Sequence, residues 1–189
     1  MERFLAAFLF PLILAVGPRD GGGLRGGETP AALKCANPAL PAAILAGGNA
    51  AVSSDVDATP LRMIQATAND VSLSLAVAAD DASRESGLMC VTALKPRAGM
   101  LFAFSSTNEW TFWMKNTVVP LDMLWLDTDG TVAHVESDVP ASKLDTPADR
   151  IARRRGRGEY VIELAAGEAA RDGLQEGTKL VFPAVHATQ

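Results

Sequence analysis

The chain has little of what chemistry is usually read from. Two cysteines, two histidines and one tyrosine stand among 189 residues. Cys35 and Cys90 are too few for a disulfide framework or a cysteine-rich metal centre. They leave room for one bridge, which would need an oxidising compartment. His134 and His186 lie far apart in sequence, whereas a metal site needs several ligands at fitting spacing. No nucleophile elbow precedes a serine, and no glycine-rich phosphate loop opens a helix of useful length. No cofactor is expected. No apolar run reaches the roughly 20 residues that span a bilayer. A net charge of −5 gives no overall field towards nucleic acid or anionic lipid.

What the sequence does have begins with an address. A short, weakly basic start is followed at residues 4–16 by large apolar side chains broken only by Pro11. That length fits the core of a secretory signal peptide, or an uncleaved N-terminal anchor, over residues 1–17. Export to a periplasmic or extracellular setting is therefore expected. Residues 18–69 are rich in glycine, proline and alanine and sustain neither helical nor strand periodicity. They read as a disordered spacer, because small side chains remove too little surface from water to offset backbone ordering.

A folded domain is expected over residues 70–186. Val71, Leu73, Leu75 and Val77 alternate with smaller or polar residues, the period of a strand with one buried face. Asp80 offers a helix cap, and residues 82–86 make one or two turns stopped by Gly87. Further strands are predicted at 100–104, 110–115, 121–127, 131–136, 160–164 and 179–182, with Asp129-Gly130 as a hairpin turn and a second short helix at 168–172. Strands joined by turns, with little helix between them, predict a mainly β fold: a small antiparallel barrel or jelly-roll-like sandwich with two short helices.

The stretch from 84 to 127 carries Arg84-x-x-Gly87-Leu88-Met89, Gly99-Met100-Leu101-Phe102, Phe112-Trp113-Met114-Lys115-Asn116-Thr117 and Pro120-Leu121-Asp122. In these strings the chain resembles the prokaryotic family known as domain of unknown function 192, over about residues 71–182. The resemblance implies a small β-barrel or sandwich, often in an exported setting, and no established activity. Two positions depart from the family pattern. Ser83 stands where an acidic residue is usual, which bears on a charge pair at the helix start. The arginine-rich segment 150–157 replaces a less basic loop.

The residues alone suggest a hairpin centred between Val118 and Val119. Lys115 would then face Asp122, Met114 would face Met123, Trp113 would face Leu124 and Phe112 would face Trp125. One face would carry Phe112, Met114, Met123 and Trp125, all apolar. Two readings of the polar residues remain open. Lys115, Asn116 and Asp122 are a charge pair and a turn-capping amide that fix register. Alternatively Arg84, Trp113, Lys115, Asn116 and Asp122 form a polar cluster beside an indole, suited to a small carboxylate- or hydroxyl-bearing ligand.

The expected role is thus a binding or structural module of the cell envelope. The rival is an enzyme using Lys115 as a cation and Asp122 as a base, although an aspartate paired with lysine is a poor general base. A partner-binding domain would instead use an exposed edge strand. Asp127-x-Asp129-Gly130 fits a hairpin better than a calcium loop, and Met89, Met100, Met114 and Met123 fit core packing better than copper ligation. A Cys90–His134 thiolate pair is the weakest alternative. Arg150, Arg153, Arg154, Arg155 and Arg157 read as a flexible, glycine-interrupted loop that would touch an anionic envelope surface weakly.

Overall fold

Alternation of large and small side chains fixes most of the strands. A computed structural model describes residues 39–46 and 59–188. The leader expected over 1–17 and Cys35 lie outside them. The element order is β1 (Met63–Ala68), β2 (Val71–Ala78), α1 (Asp81–Ser86), β3 (Ala98–Trp113), β4 (Leu121–Leu126), β5 (Val132–Val139), β6 (Arg153–Ala165) and α2 (Glu168–Arg171). The fold is mainly β with two short helices, as predicted.

The sheet order is β1-β2-β3-β6-β4-β5. Every neighbouring pair is antiparallel except β2 and β3, which run parallel across the α1 connection. The sheet is therefore mixed and not closed into a barrel. Segment 178–181 ties its outer strands together instead. Thr67 and Val181 exchange backbone hydrogen bonds of 2.8 Å, and the Val132 N–H donates to the Thr178 carbonyl at 2.9 Å. The strand predicted at 179–182 is this bridging segment.

Each strand divides its side chains between two cores. Leu73, Leu75, Leu101, Leu124, Ile162 and Leu164 fill one, covered by Leu174, Leu180 and Val185. Met100, Phe102, Met114, Met123, Trp125 and Val161 fill the other, beneath Leu40, Ile44, Leu88 and Val91. Each buried large apolar side chain contributes roughly 1.5–3 kcal/mol. Both sides of the sheet are thus needed.

Three expectations are corrected here. The spacer expected over 18–69 is not uniform. Ile44 is fully buried, and β1 pairs with all of 71–76. Its inward residues Ile64, Ala66 and Ala68 include two alanines, so the strand carried a weak apolar signal. The 112–125 hairpin does not form either, because β6 lies between β3 and β4 and pairs with both. One predicted face nevertheless holds, since Met114, Met123 and Trp125 share the second core with Phe112 packed against it, whereas Trp113 is exposed and Leu124 lies in the first core.

From Arg153 on, the arginine-rich run, expected to be a flexible loop, is the first half of β6, while Arg150 lies exposed in the turn before it. Arg153 pairs with Trp113 and Arg157 with Glu109. The glycines there serve close approach: a Cβ on Gly156 would meet the Trp125 ring at 2.5 Å, and one on Gly158 would meet the Leu126 carbonyl at 2.7 Å.

Candidate functional site

Helix α1 builds one wall of the site. Asp80 accepts a hydrogen bond from the Ser83 N–H at 2.9 Å, and the Ser83 hydroxyl accepts from the Asp80 N–H at 3.2 Å. Ser83 thereby completes a capping box in place of an acidic residue. The hydrogen bond from the Ser83 N–H is the main cause that holds the Asp80 carboxyl below its usual range. The charge pair at this helix is made by Asp81, whose carboxylate lies 2.6 Å from Arg84. Arg84 also donates to the carbonyls of Ala79 and Ala103, at 2.6 and 2.9 Å. Its guanidinium lies 5.4 Å from the Phe104 ring centroid. Arg84 is thus a fixed clamp between the helix and the ends of β2 and β3.

Strand β3 supplies the aromatic wall. Residues 104–107 are bulged out of register between Ala103 and Asn108. Phe104 then stacks on Trp110, with centroids 3.8 Å apart and planes 14° from parallel. The Trp110 indole donates to the Gly158 carbonyl at 3.0 Å, which fixes the stack. Phe112 meets Phe102 edge-to-face at 4.9 Å. Trp113 is 39% exposed, and the Lys115 ammonium lies 4.8 Å from its ring centroid. Between these walls runs a groove of about 920 Å³, lined by Arg84, Glu85, Phe104, Trp110, Phe112 and Trp113 among others.

A small cavity of about 30 Å³ adjoins the groove and shares Arg84, Phe112 and Trp113 with it. Lys115, Thr117 and Glu163 are among its other lining residues. Glu163 lies on β6 between Met100 of β3 and Met123 of β4. Gly99 lets β3 approach there, since a Cβ on it would overlap the Glu163 carbonyl. Four carboxyl residues are buried among the described residues: Asp122, Glu163, Glu168 and Asp172. Three have hydrogen-bonded partners. Among the described residues no hydrogen bond supports the Glu163 carboxyl, and burial pushes its pKa up to about 8. It is therefore a mainly neutral acid near pH 7, able to donate as well as accept a hydrogen bond.

A model of the DUF192 family, described as an uncharacterised ACR, matches residues 63–182. The chain belongs to the DUF192 family. The match spans β1 to the bridging segment and so includes Glu163 and the groove's lining apart from Ala187 and Thr188. Two solved structures are similar. One is a "putative transcription regulator" from Sinorhizobium meliloti, 33% identical, with a TM-score of 0.54 over 64% of this chain and 92% of that one. The other is a protein of unknown function from Novosphingobium aromaticivorans, 28% identical, with a TM-score of 0.53 over 71% of this chain and 99% of that one. No curated protein matches the chain.

In this DUF192 domain the five residues expected to cluster are divided. Arg84 and Trp113 line the groove, and both border the smaller cavity with Lys115. Asn116 occupies a left-handed turn with φ 54°, where an asparagine is tolerated. Its carbonyl accepts from the Cys90 N–H at 2.9 Å, and its amide lies 4.0 Å from the Met89 sulfur. Asp122 is fully buried and lines neither cavity. Its two oxygens accept from the Asp138 N–H at 3.0 Å and the Ala169 N–H at 2.9 Å. It braces β5 and the start of α2, and forms no ion pair with Lys115. The acid–base constellation of Lys115, Asn116 and Asp122 does not assemble.

Glu163 was missed because it stands in the alternating run Tyr160-Val161-Ile162-Glu163-Leu164, where a glutamate reads as a solvent-facing position. The available signal was that β6 is central, so both of its faces are covered.

The remaining candidates resolve locally. Cys90 is disulfide-bonded, which removes the thiolate reading. His134 sits 3.2 Å from both Glu136 and Glu176. Met100, Met114 and Met123 are fully buried in the second core. Among the arginines, Arg154 pairs with Glu136 at 2.9 Å, whereas Arg153, Arg155 and Arg157 alternate on the exposed face of β6. Among the described residues, no helix is long and apolar enough to cross a membrane.

Proposed function

We propose that this protein is an exported binding module of the cell envelope, which holds a small ligand with a flat apolar body and a carboxylate or hydroxyl end in the Arg84–Trp113 groove. One observation carries the reading. A groove of about 920 Å³ is walled by the Phe104–Trp110 stack, Phe112 and Trp113, with Arg84 on its lining and Lys115 in the small cavity that adjoins it. Aromatic walls with a few placed polar groups are the usual composition of a small-molecule site. Export is supported by the apolar run at residues 4–16 and by the disulfide at Cys90, since such bonds persist in oxidising compartments.

Fluorescence titration of the full-length chain with phenylacetate and phenylethanol tests the groove. Both should quench tryptophan emission saturably, and Trp110→Ala should weaken each at least about tenfold, the scale of one lost aromatic contact. Unchanged emission with both compounds would refute the assignment. The exposed Arg153, Arg155 and Arg157 face supports a weak secondary contact with anionic envelope surface. Sedimentation with anionic vesicles should show salt-sensitive binding that charge reversal at these positions removes.

A further inference from the structure

We propose that the cavity beside the groove is a carboxylate subsite, in which Glu163 donates a hydrogen bond to a ligand carboxylate and Lys115 balances its charge. The inference rests on the groove reading and adds the ligand's polar group to it.

The geometry is selective. About 30 Å³ is the room of a single water, so the cavity admits one oxygen-bearing end and not a whole ligand. Because Arg84, Phe112 and Trp113 border both spaces, a ligand lying along the aromatic wall can place its end in the cavity. The charged residues facing Glu163 there are Arg84, Glu85 and Lys115. Arg84 is held by two carbonyls and Asp81, and Glu85 is exposed. Lys115 has the Trp113 ring beneath it and no carboxylate partner among the described residues. A half-exposed lysine and a buried acid thus line one small cavity.

A neutral carboxyl and a ligand carboxylate share one proton, and a charge-assisted bond of this kind is roughly twice as strong as a neutral one. Ionisation of Glu163 would place two negative charges in the same site. The bound carboxylate therefore raises the pH at which Glu163 loses its proton. Burial of the glutamate between Met100 and Met123 keeps that proton in place across the neutral range.

The test is calorimetric titration of the full-length chain with phenylacetate and phenylethanol from pH 6 to 9.5. At pH 6 phenylacetate should bind about ten- to hundredfold more tightly than phenylethanol. Its affinity should fall roughly tenfold per pH unit above about 8, while that of phenylethanol stays level. Glu163→Gln should bind phenylacetate without this pH dependence, and Lys115→Met should lose about tenfold for phenylacetate alone. Phenylethanol binding with no carboxylate preference, or an unchanged pH profile in Glu163→Gln, overturns the subsite and leaves the groove standing. Binding of neither compound overturns both.

Should Glu163→Gln not fold, infrared titration of the wild-type protonated carboxyl band decides the matter. Phenylacetate should move its loss to higher pH, and an unmoved titration overturns the proposal.

Discussion

Asp122 and Glu163 are buried acids on neighbouring central strands, yet their surroundings are opposite. Asp122 on β4 points towards the first core, where two backbone N–H groups take its two oxygens. Glu163 on β6 points into the second core, where no group among the described residues bonds to it and a cavity opens. Backbone donors satisfy a carboxylate and use it as a brace. A buried acid without a protein hydrogen-bond partner among the described residues is costly to ionise, and a leucine would pack the same position at no such cost. The difference separates a carboxylate that braces the fold from the acid to which the proposed carboxylate subsite assigns a ligand contact.

The comparison can be broken by substitution. The largest effect is expected for Asp122→Ala, which leaves two N–H groups without their charged acceptor. Denaturant unfolding should show a loss of about 3–6 kcal/mol at pH 7.

Glu163→Gln should move stability the other way, increasingly as pH rises above about 4.5. Between about 4.5 and about 8 the unfolded chain releases the proton while the folded chain keeps it. Folding stability therefore falls as pH rises through that window and is level above it. The variant should gain on the order of 3–5 kcal/mol over wild type at pH 9 and nothing at pH 4. An equal effect at both pH values would mean that Glu163 ionises normally and that the contrast with Asp122 is false.

A smaller loss is expected for Gly156→Ala, which presses a methyl against Trp125 and should cost about 1–3 kcal/mol by overpacking. The smallest expected quantity is the coupling between Lys115→Met and Asp122→Asn. These residues share no contact, so their effects should add within roughly 0.5 kcal/mol in a double-mutant cycle. A larger coupling would restore the charge pair that the sequence suggested.

Local patterns in the sequence carried most of the fold. Val71–Ala78 reads directly as a strand, Asp80 and Gly87 bracket α1, and Asp129-Gly130 turns β4 into β5. What stayed hidden was non-local. The insertion of β6 between β3 and β4 is a choice of partner, and alternation fixes which face a residue takes without saying which strand lies alongside. The faces of Phe112, Met114, Met123 and Trp125 were therefore legible while their pairing was not. Alanine-rich β1 and arginine–glycine β6 were hidden for another reason. Their inward positions carry little side chain because a neighbour fills the space, as Trp125 does over Gly156. Of the site, Arg84, Trp113 and Lys115 were legible from their motifs, and Glu163 was not, because a covered strand face looks the same in sequence as a wet one.

Segment 178–181 has a bearing on how the molecule is made. It follows every strand of the sheet in the chain and bonds to β1 and to the start of β5, so both outer strands present unpaired backbone until it docks. A segment that settles on strands already in place removes, along its own length, the edge on which another chain could add itself.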